Sequence, residues 1–423
     1  MPSFNLKSKY WDILFILPLL ALSLWIRLRY FYYLLHSGKG FPDAADSQWY
    51  LAYARSLMTD FKVGLHMNDL LYVGYNLTLA ALLSIFKDPA AVLFIQAVTA
   101  GLSMLLVYAI ARMLFNRTTA VIASFFYAYS WDITLWSTYI LTDSFFISLL
   151  LLCIYFLLKS FDSGKTRFKV LFAITALYMF LFRPTGVLSL AFIMIYIIIR
   201  MDKTKAAMFI KKYRYAIGGL IAAAIALFVV LLSTGKLAPL TASLQLNAKM
   251  VLYNIYAKGW IYDHPSPNDH YFKPDYRIDI GHSLIISFLV HNWDHVLVVY
   301  AKRAVAFLGR WVWQTDLTTM AGIKKFAKDL PPLVLFLIGT VAAFVQGRFK
   351  KASIVWLTVL AIFIFCIVLF IDGMYRYRAP SIPFIAIIVA FGAASVIHVA
   401  IILVGRAGKQ LWRNKMNDSR PRI

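Results

Sequence analysis

The chain has no glutamate: all 19 of its acidic residues are aspartate. Any carboxylate chemistry therefore falls to the shorter acidic side chain. Cysteine is almost as scarce. Cys153 and Cys366 are the two present, and both sit inside apolar runs, which argues against a disulfide framework or a cysteine metal centre. Charge of either sign makes up only 15% of the 423 residues, while 61% are hydrophobic. A soluble domain of this length could not hide so much apolar surface, because water-facing helices need a polar face. The net charge of +24 would suit a nucleic acid partner if it lay on one soluble face. Instead the lysines and arginines cluster in short connections between apolar runs, where they orient the chain and meet anionic lipid. No nucleic acid partner is expected.

What is present is a series of apolar runs of about 20 residues, the length that crosses a bilayer. The first, Trp11 to Arg27, is too long and wrongly flanked for a cleaved signal peptide. Only helices or closed barrels satisfy their backbone in lipid, so the expected fold is an all-α polytopic membrane protein of about 10–11 transmembrane helices. Spans are read at 11–29, 90–111, 118–136, 141–158, 167–182, 184–199, 214–232, 331–347, 352–371 and 379–404. The basic connections at Lys159–Lys169, Arg200–Arg214 and Arg348–Lys351, with the tail from Arg406, are assigned to the cytoplasm. Counting 70–86 as a crossing would invert the later loops, so it is read as an interfacial or re-entrant helix on the outer side. This divides the chain into an N-terminal module, 1–232, whose first outer loop is 30–89. An outer loop follows at 233–330, then C-terminal spans and a basic tail at 331–423. Within the second loop, 282–313 is read as lying along the membrane surface.

Polar residues that are costly near lipid are the functional pointers. In the first outer loop, Tyr50 and Ala54 follow Asp46 at i+4 and i+8, which places all three near one helical face. Spacing alone leaves Asp43 or Asp46 equally readable as a helix cap. Asp143 opens the run 144–158, where a cap is again the plainer account, and Asp132 lies nearby. Arg183 precedes Pro184 in a tight outer turn, and snorkelling to headgroups competes there with ligand binding. Arg376 and Arg378 stand at an outer helix start, against the positive-inside bias, so an anionic partner accounts for them economically. His291 and His295 have i, i+4 metal spacing but no third ligand, and a polar interfacial face explains them better.

Taken together, these residues resemble the GT-C class of membrane glycosyltransferases, in the branch holding the protein O-mannosyltransferases and the lipid A aminoarabinose transferases. That branch carries an Asp-Glu-x-x-Tyr-x-x-x-Ala-Arg pattern in its first outer loop. Asp46, Tyr50, Ala54 and Arg55 match it, while Ser47 replaces the glutamate. Leu141-Thr142-Asp143, the Arg-Pro turn at 183–184 and Arg-Tyr-Arg-x-Pro at 376–380 resemble further family segments. The family's Arg-Pro-Pro segment is missing, with Gly74-Tyr75-Asn76 in its region.

The resemblance implies transfer of a sugar from a polyprenyl-phosphate donor to a lipid, glycan or protein acceptor, with inversion. The active site would be extracytoplasmic on a multi-pass protein of the plasma (inner) membrane, in contact with membrane lipids. Asp46 would be the base or acceptor orienter and Asp143 a supporting acid, or a ligand if the enzyme uses a divalent metal. Tyr50, Arg55, Arg183, Arg376 and Arg378 would bind substrate, the arginines holding the lipid phosphate. The rival is a lipid or polysaccharide transporter or flippase, which should carry charges and broken helices at mid-membrane. Here the charges collect at outer span ends.

Overall fold

The computed structural model describes residues 6–63, 69–261, 265–266, 269–309, 316–369 and 374–418, and no strand occurs among them. Asp372 and Gly373 lie outside this set. The N-terminal helices are α1 (Leu6–His36), α2 (Ala45–Thr59), α3 (Val73–Phe86), α4 (Pro89–Leu114), α5 (Arg117–Ala128) and α6 (Trp131–Trp136). Next come α7 (Asp143–Ser163), α8 (Thr166–Phe182), α9 (Pro184–Arg200), α10 (Lys203–Ser233) and α11 (Ala238–Met250). The chain continues with α12 (Leu284–His291), α13 (Trp293–Gly309), α14 (Met320–Val345), α15 (Phe349–Ile364), α16 (Met374–Arg378) and α17 (Ile382–Asp418).

Six described helices are long and apolar enough to cross a membrane: Asp12–His36, Pro89–Leu114, Asp143–Ser163, Met320–Val345, Phe349–Ile367 and Arg376–Ala407. The pair Leu284–His291 and Trp293–Leu308 would make a seventh, but it bends by 87° at its break. This is fewer than the sequence suggests, for reasons that differ from helix to helix. The expected span 118–136 is broken into α5 and α6 because the buried Arg27 guanidinium donates to the carbonyls of Tyr127 and Ala128. Those groups end one helix against a side chain instead of continuing it. α8 and α9 have 17 residues each, about 26 Å at the helical rise, at the lower limit of the length that crosses a hydrocarbon core. α3 has 14 residues and is shorter still, so it cannot cross alone. Helix α14 begins at Met320, earlier than the expected boundary at 331, and runs through Pro331 and Pro332.

Apolar side chains on the rim, such as Trp25, Leu177, Ile198 and Val345, point away from the bundle. In lipid they need no burial, so helix contact rests on packing and interhelical hydrogen bonds. One end of the bundle is basic. There Asp12 bonds Arg117 at 2.6 Å and Tyr108 at 2.8 Å. Arg348 and Lys351 cap the carbonyls of Phe115 and Met113 at 3.0 and 2.7 Å. Tyr196 also bonds the Lys351 carbonyl at 3.0 Å. α7 and α9 run toward this end and α8 runs away from it. The start of α7 and the α8–α9 turn therefore meet at the opposite end, beside α2.

Candidate active site

Asp143 is the first residue of α7, and its carboxylate is fully buried between two arginines. One oxygen accepts from Nη1 of Arg183 and the other from Nε of Arg376 at 2.8 Å. Nη1 of the same Arg376 reaches Oδ2 of Asp46 at 2.5 Å. A chain of four charges thus runs Asp46–Arg376–Asp143–Arg183, drawn from α2, α16, α7 and the α8–α9 break. Two negative and two positive groups leave it formally neutral.

The local sequence explains each placement. Pro184 disfavours helical geometry in the residue before it, and Arg183 is extended at φ −169° and ψ 147°. Its side chain therefore leaves the helical path and enters the cluster. Gly74 allows α3 to approach the last turn of α8, since a Cβ there would lie 2.9 Å from the Leu181 carbonyl oxygen. Tyr178 fixes the same approach by donating to the Gly74 carbonyl at 2.8 Å. The capping alternative fails for both acids. The N-cap positions are Ala44 and Thr142, and neither makes a side-chain cap bond, so the carboxylates are free to face arginine.

Exposure separates the two acids. Asp46 is 48% exposed, whereas Asp143 is 0% exposed. The exposed acid can meet a substrate from solvent, and the buried one can only organise its neighbours. Arg183 is buried as well, with its Cζ 4.7 Å from the Tyr377 ring centre and 5.7 Å from that of Phe146. Its Nε and Nη2 have no hydrogen-bond partner in the protein, nor do the nearby Ser47, Thr142, Ser144 and Thr185 hydroxyls or that of Tyr75. Buried donors without acceptors are rare, and this concentration around one carboxylate suits a polar guest.

The other expected residues divide. Tyr50 is buried, packing edge-on against Tyr75 with ring centres 4.9 Å apart and against Tyr72 at 5.7 Å. Burial pushes its phenol well above the ordinary value, so it remains protonated in the site wall. Arg55 is exposed on α2 and is not brought into the cluster. Arg378 is two residues from Arg376, about 200° around a helix, so it faces elsewhere. Its Nε donates to the Phe307 carbonyl at 2.6 Å, and Nη1 lies 3.9 Å from Oδ2 of Asp132. It thereby ties α16 to α13 and α6, and not to Asp46 or Asp143. Asp43 accepts from Gln48 at 2.6 Å, at the exposed start of α2.

Sequence reasoning passes over Tyr72, Tyr75 and Tyr377, whose rings line the cluster. Tyr377 lies inside the Arg-Tyr-Arg motif, with Arg376 Cζ 5.4 Å from its ring centre. Tyr75 occupies the stretch where the family's Arg-Pro-Pro is missing. His291 and His295 do not converge. His291 bonds Asp279 at 2.6 Å, while His295 bonds His270 at 3.0 Å. The acid pair offers a divalent metal only two carboxylates, each bonded to arginine. No set of three His, Cys or Asp side chains converges among the described residues.

The sequence model of the family described as dolichyl-phosphate-mannose-protein mannosyltransferase matches residues 72–232, a stretch that holds Asp143 and Arg183. Archaeal oligosaccharyltransferase AglB from Archaeoglobus fulgidus, solved with an inhibitory peptide and a dolichol-phosphate, has a similar fold. The TM-score is 0.53 at 14% identity, over 99% of this chain and 53% of that one. The apo form of the Archaeoglobus fulgidus oligosaccharyltransferase matches with a TM-score of 0.47 at 15% identity, over 99% of this chain and 53% of that one. This chain spans about half the length of those structures. No curated protein matches it. The fold is that of the GT-C membrane glycosyltransferases.

Proposed function

We propose that this chain is a glycosyltransferase that moves a sugar from a polyprenyl-phosphate donor to an acceptor at the outer face of the membrane, with inversion. The observation that carries the reading is the half-exposed Asp46 joined through Arg376 to the buried Asp143. A base open to substrate stands beside a cation that can take a leaving phosphate, at the end of the bundle opposite the basic one. The family match over 72–232 and the shared fold support it. A long prenyl chain cannot leave the bilayer, because each buried methylene contributes about 0.8 kcal/mol. The donor phosphate must therefore be met where span ends reach the interface, and the cluster lies at such an end.

The residues divide the work. Asp46 takes the proton of the acceptor hydroxyl as its oxygen attacks the anomeric carbon. The bond from that carbon to the phosphate oxygen breaks on the opposite side, which inverts the centre. Arg376 holds the departing phosphate through charge-assisted bonds. Asp143 fixes Arg376 and Arg183, and the tyrosine rings restrict water. Among the described residues, the buried Arg27 is the clearest mid-span charge of the kind a transporter would need. Its four bonds run to Ser23 and to carbonyls ending α5, which is a structural role.

Membranes containing the chain, given radiolabelled mannosyl-phosphoryl-polyprenol, should yield a labelled glycoconjugate of inverted anomeric configuration. Movement of intact donor between leaflets without transfer would favour the transporter instead. Arg376→Ala should lower donor use about 10- to 100-fold, and Arg376→Lys should recover only part, because the planar fork is lost. Full activity of Arg376→Ala would remove it from the reaction. The side of the membrane is open to a separate test. Both native cysteines are buried, so Lys39→Cys should react with an impermeant thiol reagent on intact cells and Ser163→Cys only after lysis. Outside labelling at position 163 would place the site in the cytoplasm.

A further inference from the structure

Asp46 and Arg376 each face two demands that their present contact cannot satisfy together. A base must be free to take a proton, yet Oδ2 of Asp46 accepts a 2.5 Å bond from Arg376. A phosphate ligand must offer its donors outward, yet Nε and Nη1 of Arg376 are both given to aspartates. One exchange meets both demands.

We infer that the donor's phosphate displaces Asp46 from Arg376, so that donor binding itself releases the base and must precede activation of the acceptor. This rests on the glycosyltransferase reading above and adds to it an order of events.

The geometry decides which contact yields. Asp143 is 0% exposed and holds Arg183 as well, so parting it from Arg376 would leave a buried charge undercompensated. Asp46 is 48% exposed and, once released, is solvated by water. The Asp143 end is therefore the anchor and the Asp46 end is the latch. Charge balance favours the same exchange. The resting cluster is neutral, so an arriving phosphate gains most by replacing an existing anion on Arg376. Arg183 adds Nε and Nη2, which have no partner in the protein, beside the same carboxylate.

The balance of the step follows. The acceptor oxygen bonds to the anomeric carbon while the carbon–oxygen bond to phosphate breaks. The electron pair of that bond leaves with the polyprenyl phosphate, whose added negative charge stays on Arg376. The acceptor's proton goes to the freed Asp46. When the phosphate departs, Arg376 returns to Asp46 and its carboxyl proton passes to water. Without donor the base stays latched.

This latch makes a prediction of unusual sign. If Asp46 competes with phosphate for Arg376, removing its charge should tighten phosphate binding even as transfer is lost. Full-length protein in nanodiscs would be titrated with decaprenyl phosphate. Asp46→Asn and Asp46→Ala should each bind about three- to tenfold more tightly than wild type, and Asp43→Asn should bind like wild type. Unchanged or weaker binding by both Asp46 variants, with wild type binding normally, would overturn the latch and leave the transferase reading standing. Failure of wild type to bind decaprenyl phosphate at all would overturn that reading, and the latch with it.

Discussion

Asp46→Asn membranes are expected to transfer sugar at least about 100-fold more slowly than wild type at equal levels of inserted protein. General base catalysis contributes roughly 100- to 10,000-fold, and an amide accepts no proton at neutral pH. The loss cannot be put down to capping, because Ala44 is the N-cap of α2 and the Asp46 carboxylate faces Arg376 instead. Insertion should stay near normal, since a half-exposed ion pair contributes at most about 1 kcal/mol to stability. Asp43→Asn is the matched control, one turn away and bonded only to Gln48 among the described side chains. Near-normal transfer by Asp46→Asn would exclude it as the base. If Asp43→Asn were the inactive variant, the role would move there.

Asp143→Ala is expected to fail at an earlier stage, as loss of folded protein. Its carboxylate is the shared partner of Arg183 and Arg376, and Arg183 is as fully enclosed as Asp143 itself. Removing one member of a buried pair costs about 3–5 kcal/mol, because the remaining charge has neither water nor a counter-ion. That is a large share of the stability of an ordinary domain. Yield after detergent extraction and the midpoint of thermal unfolding should both fall sharply. Adding Arg183→Leu should restore part of the loss, since it removes the stranded cation. A well-folded, heat-stable Asp143→Ala protein would show that the arginines find another anion. Asp143 would then be a chemical group and not an organising one.

The sequence does not tell the two acids apart, although the structure gives them different environments. Both were visible in the sequence as aspartates at the outer ends of helices, and both were equally readable there as caps. Helical spacing says which residues share a face, but not which face meets which other element. The Arg-Tyr-Arg segment was legible for a similar reason, since its charges oppose the positive-inside bias. That the two arginines part company was not legible. Arg376 goes to the acids and Arg378 to the Phe307 carbonyl and Asp132, because a helix turns them to opposite sides. Arg55 matched the family pattern in sequence, yet it sits on an exposed stretch of α2.

Composition alone determined that this chain lives in a bilayer. Repeated long runs of apolar residues with few charges suit lipid, the solvent that tolerates so much apolar surface. Charge distribution along the chain also determined that one end of the bundle would be basic. The break in the 118–136 run was decided by tertiary contact. Arg27, far away in sequence, ends α5 by taking its last carbonyls, a hydrogen-bond choice that no local pattern encodes. The site was decided in the same way. Asp46 and Arg376 are separated by 330 positions, and Asp143 and Arg183 join them only through the packing of α2, α7, α16 and the α8–α9 break. A buried carboxylate has to find cations wherever the packed helices bring them, so the charges found one another through the fold and not through the sequence.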